Sequence, residues 1–68
     1  MKLRYYTDTD SLYIDLSDLP SVESREVSDG IVLDYGASGE LVGIDIDHAS
    51  KRARLDEFSL VHLPHKAA

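Results

Sequence analysis

Leu12, Ile14 and Leu16 alternate with Tyr13 and Asp15, and Val42, Ile44 and Ile46 alternate with Gly43 and Asp45. An apolar residue at every second position marks a strand with one face packed and one face in water. No other feature constrains the chain as much, because the pattern recurs over most of its 68 residues. Upstream, Leu3 and Tyr5 alternate with Lys2, Arg4 and Tyr6, and "TDTDS" lies between the two runs. That cluster consists of turn formers whose side chains bond their own backbone. Residues 2 to 16 therefore predict a β-hairpin.

The stretch "SDLPS" ends the hairpin, because Pro20 has no N–H to donate and biases Leu19 away from helix. A short polar strand follows at Glu23 to Val27, then a turn at "SDG", then a strand at Ile31 to Tyr35. "GASGE" closes a further hairpin into Leu41 to Asp47, with Gly36 and Gly39 placed for positive φ. After His48 the pattern changes. "HASKRARLDEFS" predicts one or two short helical turns rather than a long helix, since its apolar spacing is irregular and no strong cap is visible. Ser59 to Leu63 form, as the alternative, a last strand ended by Pro64, and residues 64–68 a loose tail.

The expected fold is α+β and mostly β. It is an antiparallel meander of about five strands with a short C-terminal helical segment, in a single small domain spanning 1–68. Its predicted core is Leu3, Leu12, Ile14, Leu16, Val27, Ile31, Leu33, Val42, Ile44, Ile46, Leu55 and Phe58. A domain this small is marginal alone, and the absence of cysteine removes a disulfide as a staple. Metal binding or self-association is left as the extra source of stability. A short helical segment cannot cover five strands, so a homodimer, packed face to face or paired at its edges, is expected.

Charge narrows the partners. Residues 5 to 50 hold eleven acids and one base, Arg25, within a chain of formal charge −6. So acidic a region repels a phosphate backbone, and no direct nucleic-acid partner is expected; "KRAR" at Lys51 to Arg54 is too short to reverse this. The N-terminus "MKLRYYTD" has no long apolar run, so no signal peptide or membrane partner is expected, and the chain reads as cytoplasmic.

The order of features is specific: "YYTDTDSLYIDLSD", then "ESREVSDGIVLDYGASGELVGIDIDHASK". Over residues 5–52 it resembles the small prokaryotic family catalogued as domain of unknown function 2283. The resemblance implies a short, stand-alone, mostly bacterial protein with no established activity and no catalytic motif to map. Some members are suspected to be antitoxin-like, from their setting beside small toxin-like proteins.

The chemistry-bearing residues each have an ordinary reading beside a functional one. Asp45 and Asp47 fall on one face of a strand, while Ile44, Ile46 and His48 fall on the other, so they converge with His48 only if the chain turns at Asp47. The ordinary reading makes them a wetted face, with His48 and Ser50 ending the strand. Asp8 and Asp10 lack the glycine and the distant glutamate of a calcium loop, and read as turn formers. Tyr6 and Tyr13 share the polar face of the first hairpin and are placed to pair across it. No nucleophile motif and no phosphate loop is present: there is no cysteine, and His62 and His65 lie in or beside the tail. The expected function is a non-enzymatic, cofactor-free protein-binding module. Asp8, Asp10, Tyr6, Tyr13, Asp45 and Asp47 form its face for a basic partner. A metal or small ligand at Asp45, Asp47 and His48 is one alternative, and a purely structural assembly subunit is another.

Overall fold

A computed structural model describes residues 1–62 and Pro64. Five strands form one antiparallel sheet: β1 (Lys2–Tyr6), β2 (Ser11–Asp15), β3 (Glu23–Ser28), β4 (Ile31–Tyr35) and β5 (Leu41–Ile46), followed by the helix α1 (Ala49–Arg52). The strand order is β1-β2-β5-β4-β3. Consecutive strands are neighbours except β2 and β3. Between those two, residues 16 to 22 carry the chain past β5 and β4 to the far edge. The Ser17 hydroxyl accepts the Leu19 N–H at 3.0 Å on the way, and Val22 N–H donates to the Tyr35 carbonyl at 2.8 Å on arrival.

Tight turns set the hairpin registers. Asp29 and Gly30 link β3 to β4, with Gly30 at φ 79. Between β4 and β5, Gly39 N–H donates to Gly36 O at 3.0 Å and Gly36 N–H to Glu40 O at 2.8 Å, with Gly39 at φ 85. That is a three-residue loop whose last member must be left-handed. Of the two glycines expected at positive φ, Gly39 has it and Gly36 does not, while Gly30 in the preceding turn does; at Gly36 the Glu40 side chain lies where a Cβ would stand. Two bulges interrupt the ladders, one at Val27 on β3 and one at Val42 on β5.

Register sorts the two faces. Leu3 pairs with Ile14, Leu12 with Ile46, Ile14 with Ile44, and Leu33 and Ile31 with Ile44 and Ile46, so one face is aliphatic. Arg4 pairs with Tyr13, Tyr13 with Asp45, and Asp45 with Val32, so the other is polar. The predicted core therefore lines one face, but it does not close. Among the described residues the buried hydrophobics are Val42 and Ala49, at 3% and 0% exposure, while Leu3, Leu16, Val27, Leu55 and Phe58 remain exposed. The molecule is a plate of 40 × 32 × 19 Å, one sheet with a thin partial cover.

That cover is short. α1 ends at Arg52, where Ala53 becomes extended, and residues 59–62 form no strand; Leu63 and residues 65–68 lie outside the described part. No helix among the described residues is long and apolar enough to cross a membrane.

A Cβ on Gly39 would meet no atom within 4 Å, so Gly39→Ala carries backbone strain alone. Urea denaturation should show a loss of about 1–2 kcal/mol, and a smaller loss for Gly39→Asn, which tolerates the left-handed region.

Candidate functional site

Gly43 interrupts the alternation of "LVGIDI" on the polar face, between Asp15 on β2 and Asp34 on β4. A glycine inside a strand marks a close approach. Here the Tyr13 ring lies across it, and a Cβ at Gly43 would overlap the Tyr13 hydroxyl and ring. By leaning over Gly43, Tyr13 reaches from β2 to β4 and donates to Asp34 Oδ2 at 2.8 Å. The other Asp34 oxygen accepts the Ser24 hydroxyl of β3 at 2.6 Å. One line of side chains thus ties β2, β4 and β3 together across β5. Bonding to a carboxylate, reinforced by burial, pushes the Tyr13 phenol up to about 12.

Asp45 lies beside this line, half-buried. Burial is the main cause that raises its carboxyl above the ordinary value, with the negative charges of Asp47 and Asp34 adding to it. Asp47 accepts from the Ser11 hydroxyl at 3.4 Å. Arg4, the cation nearest on this face, pairs with Asp15 at 3.2 Å and stays largely exposed. Arg4, Tyr6, Thr9, Ser11, Tyr13 and Asp45 line a shallow depression of about 420 Å³. Tyr6 pairs with Ser11 and Arg4 with Tyr13, so the two tyrosines are diagonal neighbours and not directly opposite.

Asp10 belongs to a different construction. It takes a left-handed φ of 53 at the end of the β1–β2 loop, and its carbonyl accepts Ala49 N–H at 2.9 Å. Its carboxylate accepts the Tyr5 hydroxyl at 2.6 Å, Ser50 N–H at 3.0 Å and the Ser50 hydroxyl at 2.7 Å. The start of α1 is therefore capped from forty residues upstream, while its own N-cap, His48, is left-handed and makes no side-chain cap bond. The Tyr5 and Ser50 hydrogen bonds hold the Asp10 carboxyl below its ordinary value, and the Tyr5 phenol rises in return.

Of the six residues expected to meet a partner, Tyr6, Tyr13, Asp45 and Asp47 come together on the polar face. Asp8 sits in the β1–β2 loop, 3.5 Å from the Thr7 hydroxyl, and the Asp10 carboxylate faces α1. Asp45, Asp47 and His48 do not converge, and no group of three or more metal-ligating side chains occurs among the described residues. Sequence reasoning missed Asp34, Ser24 and Gly43. Only Gly43 carried a local signal, as a glycine within an otherwise regular strand.

Fold and site together define a class: a single antiparallel sheet, aliphatic on one side and carboxylate-lined on the other. The chain belongs to the family described as Protein of unknown function (DUF2283), whose model matches residues 2–50. The match takes in all five strands and the start of α1, beginning at β1 where the motif resemblance began at residue 5. Neither the curated proteins nor the solved structures include a match to the chain.

Gly43→Ala should displace the Tyr13 ring and cost about 1–3 kcal/mol in urea denaturation, with most of that penalty absent in a Tyr13→Ala background. The two carboxylates should respond oppositely to pH. The lowered Asp10 carboxyl contributes stability above the ordinary value of 3.8 that is lost as pH falls through its folded pKa. Asp10→Asn should therefore lower the melting temperature at neutral pH, and the deficit should close in acid. The raised Asp45 carboxyl is a cost once it ionises, so Asp45→Asn should raise the melting temperature at neutral pH, with the gain vanishing below the ordinary 3.8.

Proposed function

We propose that the protein is a non-enzymatic binding module whose carboxylate-lined face docks on a basic surface of a partner protein. The observation that carries this reading is the row of Asp45 and Asp47 on the polar face, where burial raises the Asp45 carboxyl and the charges of Asp47 and of the hydrogen-bonded Asp34 add to it. A partner arginine or lysine placed over the row offsets the repulsion among these charges. Tyr6 and Tyr13, beside the row, offer aromatic area that is ordered at low entropic cost. Asp8 extends the acidic surface at the loop tip. Asp10 serves the face indirectly, by holding that loop against α1.

Electrostatic attraction over such a face accelerates encounter with cations and repels phosphate chains. The suspicion that some family members are antitoxin-like gives the partner a concrete form. A carboxylate row that mimics nucleic acid would occupy the basic active site of a small RNase. The metal alternative at Asp45, Asp47 and His48 has no specific observation in its favour.

Affinity purification with the full chain from its native cell at low ionic strength should capture a basic protein. Its binding should weaken steeply with salt and fall by about tenfold or more, roughly 1.4 kcal/mol, in Asp45→Asn/Asp47→Asn. A captured partner indifferent to both salt and the double substitution would defeat the reading.

A further inference from the structure

The aliphatic face poses a separate question, independent of the acidic-face proposal: what covers it. A folded monomer of 7.6 kDa exposes about 4,300 Å² by the usual scaling of surface with mass, whereas this chain exposes 5494 Å². The surplus is about 1,200 Å², and a standard interface removes about 800 Å² from each partner. The radius of gyration agrees, at 13.5 Å against about 11 Å for a compact chain of this length. That excess is shared between the exposed residues after α1 and the open aliphatic face.

The surface itself says what covers it. Ile14, Leu33 and Ile44 form its centre, and register brings in charged side chains at β3, where Arg25 pairs with Leu33 and Glu23 with Tyr35. At the rim, Arg25 lies 5.7 Å over the Tyr35 ring and pairs with Glu23 at 2.7 Å, so opposite charges sit side by side there. An aliphatic centre flanked by an internally paired Arg25 and Glu23 presents no unpaired charge there to a second copy brought over it by a two-fold axis. Residues 53–58 cover only the β1–β2 end, leaving a cleft of about 450 Å³ between themselves and Leu3, Tyr5 and Leu12. The β5–β4–β3 end has no such cover among the described residues. We infer that a second copy of this chain packs its aliphatic face on the first, as a two-layer sandwich with sheets about 10 Å apart.

Because the chain has no cysteine, introduced thiols report on each face separately. Leu33→Cys places one on the aliphatic face and Ser24→Cys one on the polar face. Sedimentation of the full chain should give twice the single-copy mass at high concentration. The Leu33→Cys thiol should be shielded from alkylation there and become reactive on dilution, in step with the loss of mass, while Ser24→Cys reacts at both concentrations. A single-copy mass at every concentration, folded or not, overturns the inference. So does a larger assembly in which the Leu33→Cys thiol stays reactive or the Ser24→Cys thiol is the one shielded.

Discussion

Backbone pairing across five strands orders most of this chain, yet pairing satisfies only the main chain. Side chains of a sheet leave in two directions, and each direction needs its own solution. On one side, hydroxyls, carboxylates and water solve the problem locally. On the other, aliphatic groups need a second layer, and among the described residues those at 53–58 extend over one end of the sheet. The protein's behaviour follows from that asymmetry. Its polar side finds most of its hydrogen-bond partners within the sheet, while much of its apolar side stays exposed among the described residues.

The strands were readable because alternation and turn formers are local properties: alternation marks β1, β2 and β5, while the turns at "SDLPS", "SDG" and "GASGE" bound β3 and β4, and all five stand where these signals place them. Their spatial order was less accessible, since β5 lies between β2 and β4 and that choice is made by contacts distant in sequence. The same limit applies to Asp10. Its place in a turn was legible from "TDTDS", but its grip on Ser50 joins residues forty positions apart. Tyr13 shows an intermediate case. Alternation puts it on the polar face; the empty place above Gly43, which lets it cross to Asp34, becomes meaningful only once β2, β5 and β4 are neighbours. Leu55 and Phe58 mark the opposite failure. Their apolar character suggested a core, but in one chain there is too little opposite them to bury against.

The polar side divides its carboxylates between two tasks. Asp10 and Asp34 are saturated with hydrogen bonds and bind strands and helix together. Asp45 and Asp47 receive little such support, and burial, with the charges of Asp47 and Asp34, makes Asp45 more costly to ionise. Groups that finish their hydrogen bonding internally have little left for another molecule, whereas a crowded, under-supported pair gains from any cation that approaches. This difference in saturation, more than the number of acids, separates scaffold from contact surface.

The two outer strands bear on a hazard common to exposed sheets, which is endless growth by adding copies at the margin. β3 is broken by its bulge at Val27 and carries Glu23, Arg25 and Glu26, so a flat incoming strand finds a kinked and charged border. β1 has no bulge, but self-pairing about its middle residue would set Arg4 directly against Arg4 of the next copy. Fibre formation is thus discouraged at both ends of the plate. A chain with an oily side thereby lacks a flat, uncharged border on which further copies could add without limit.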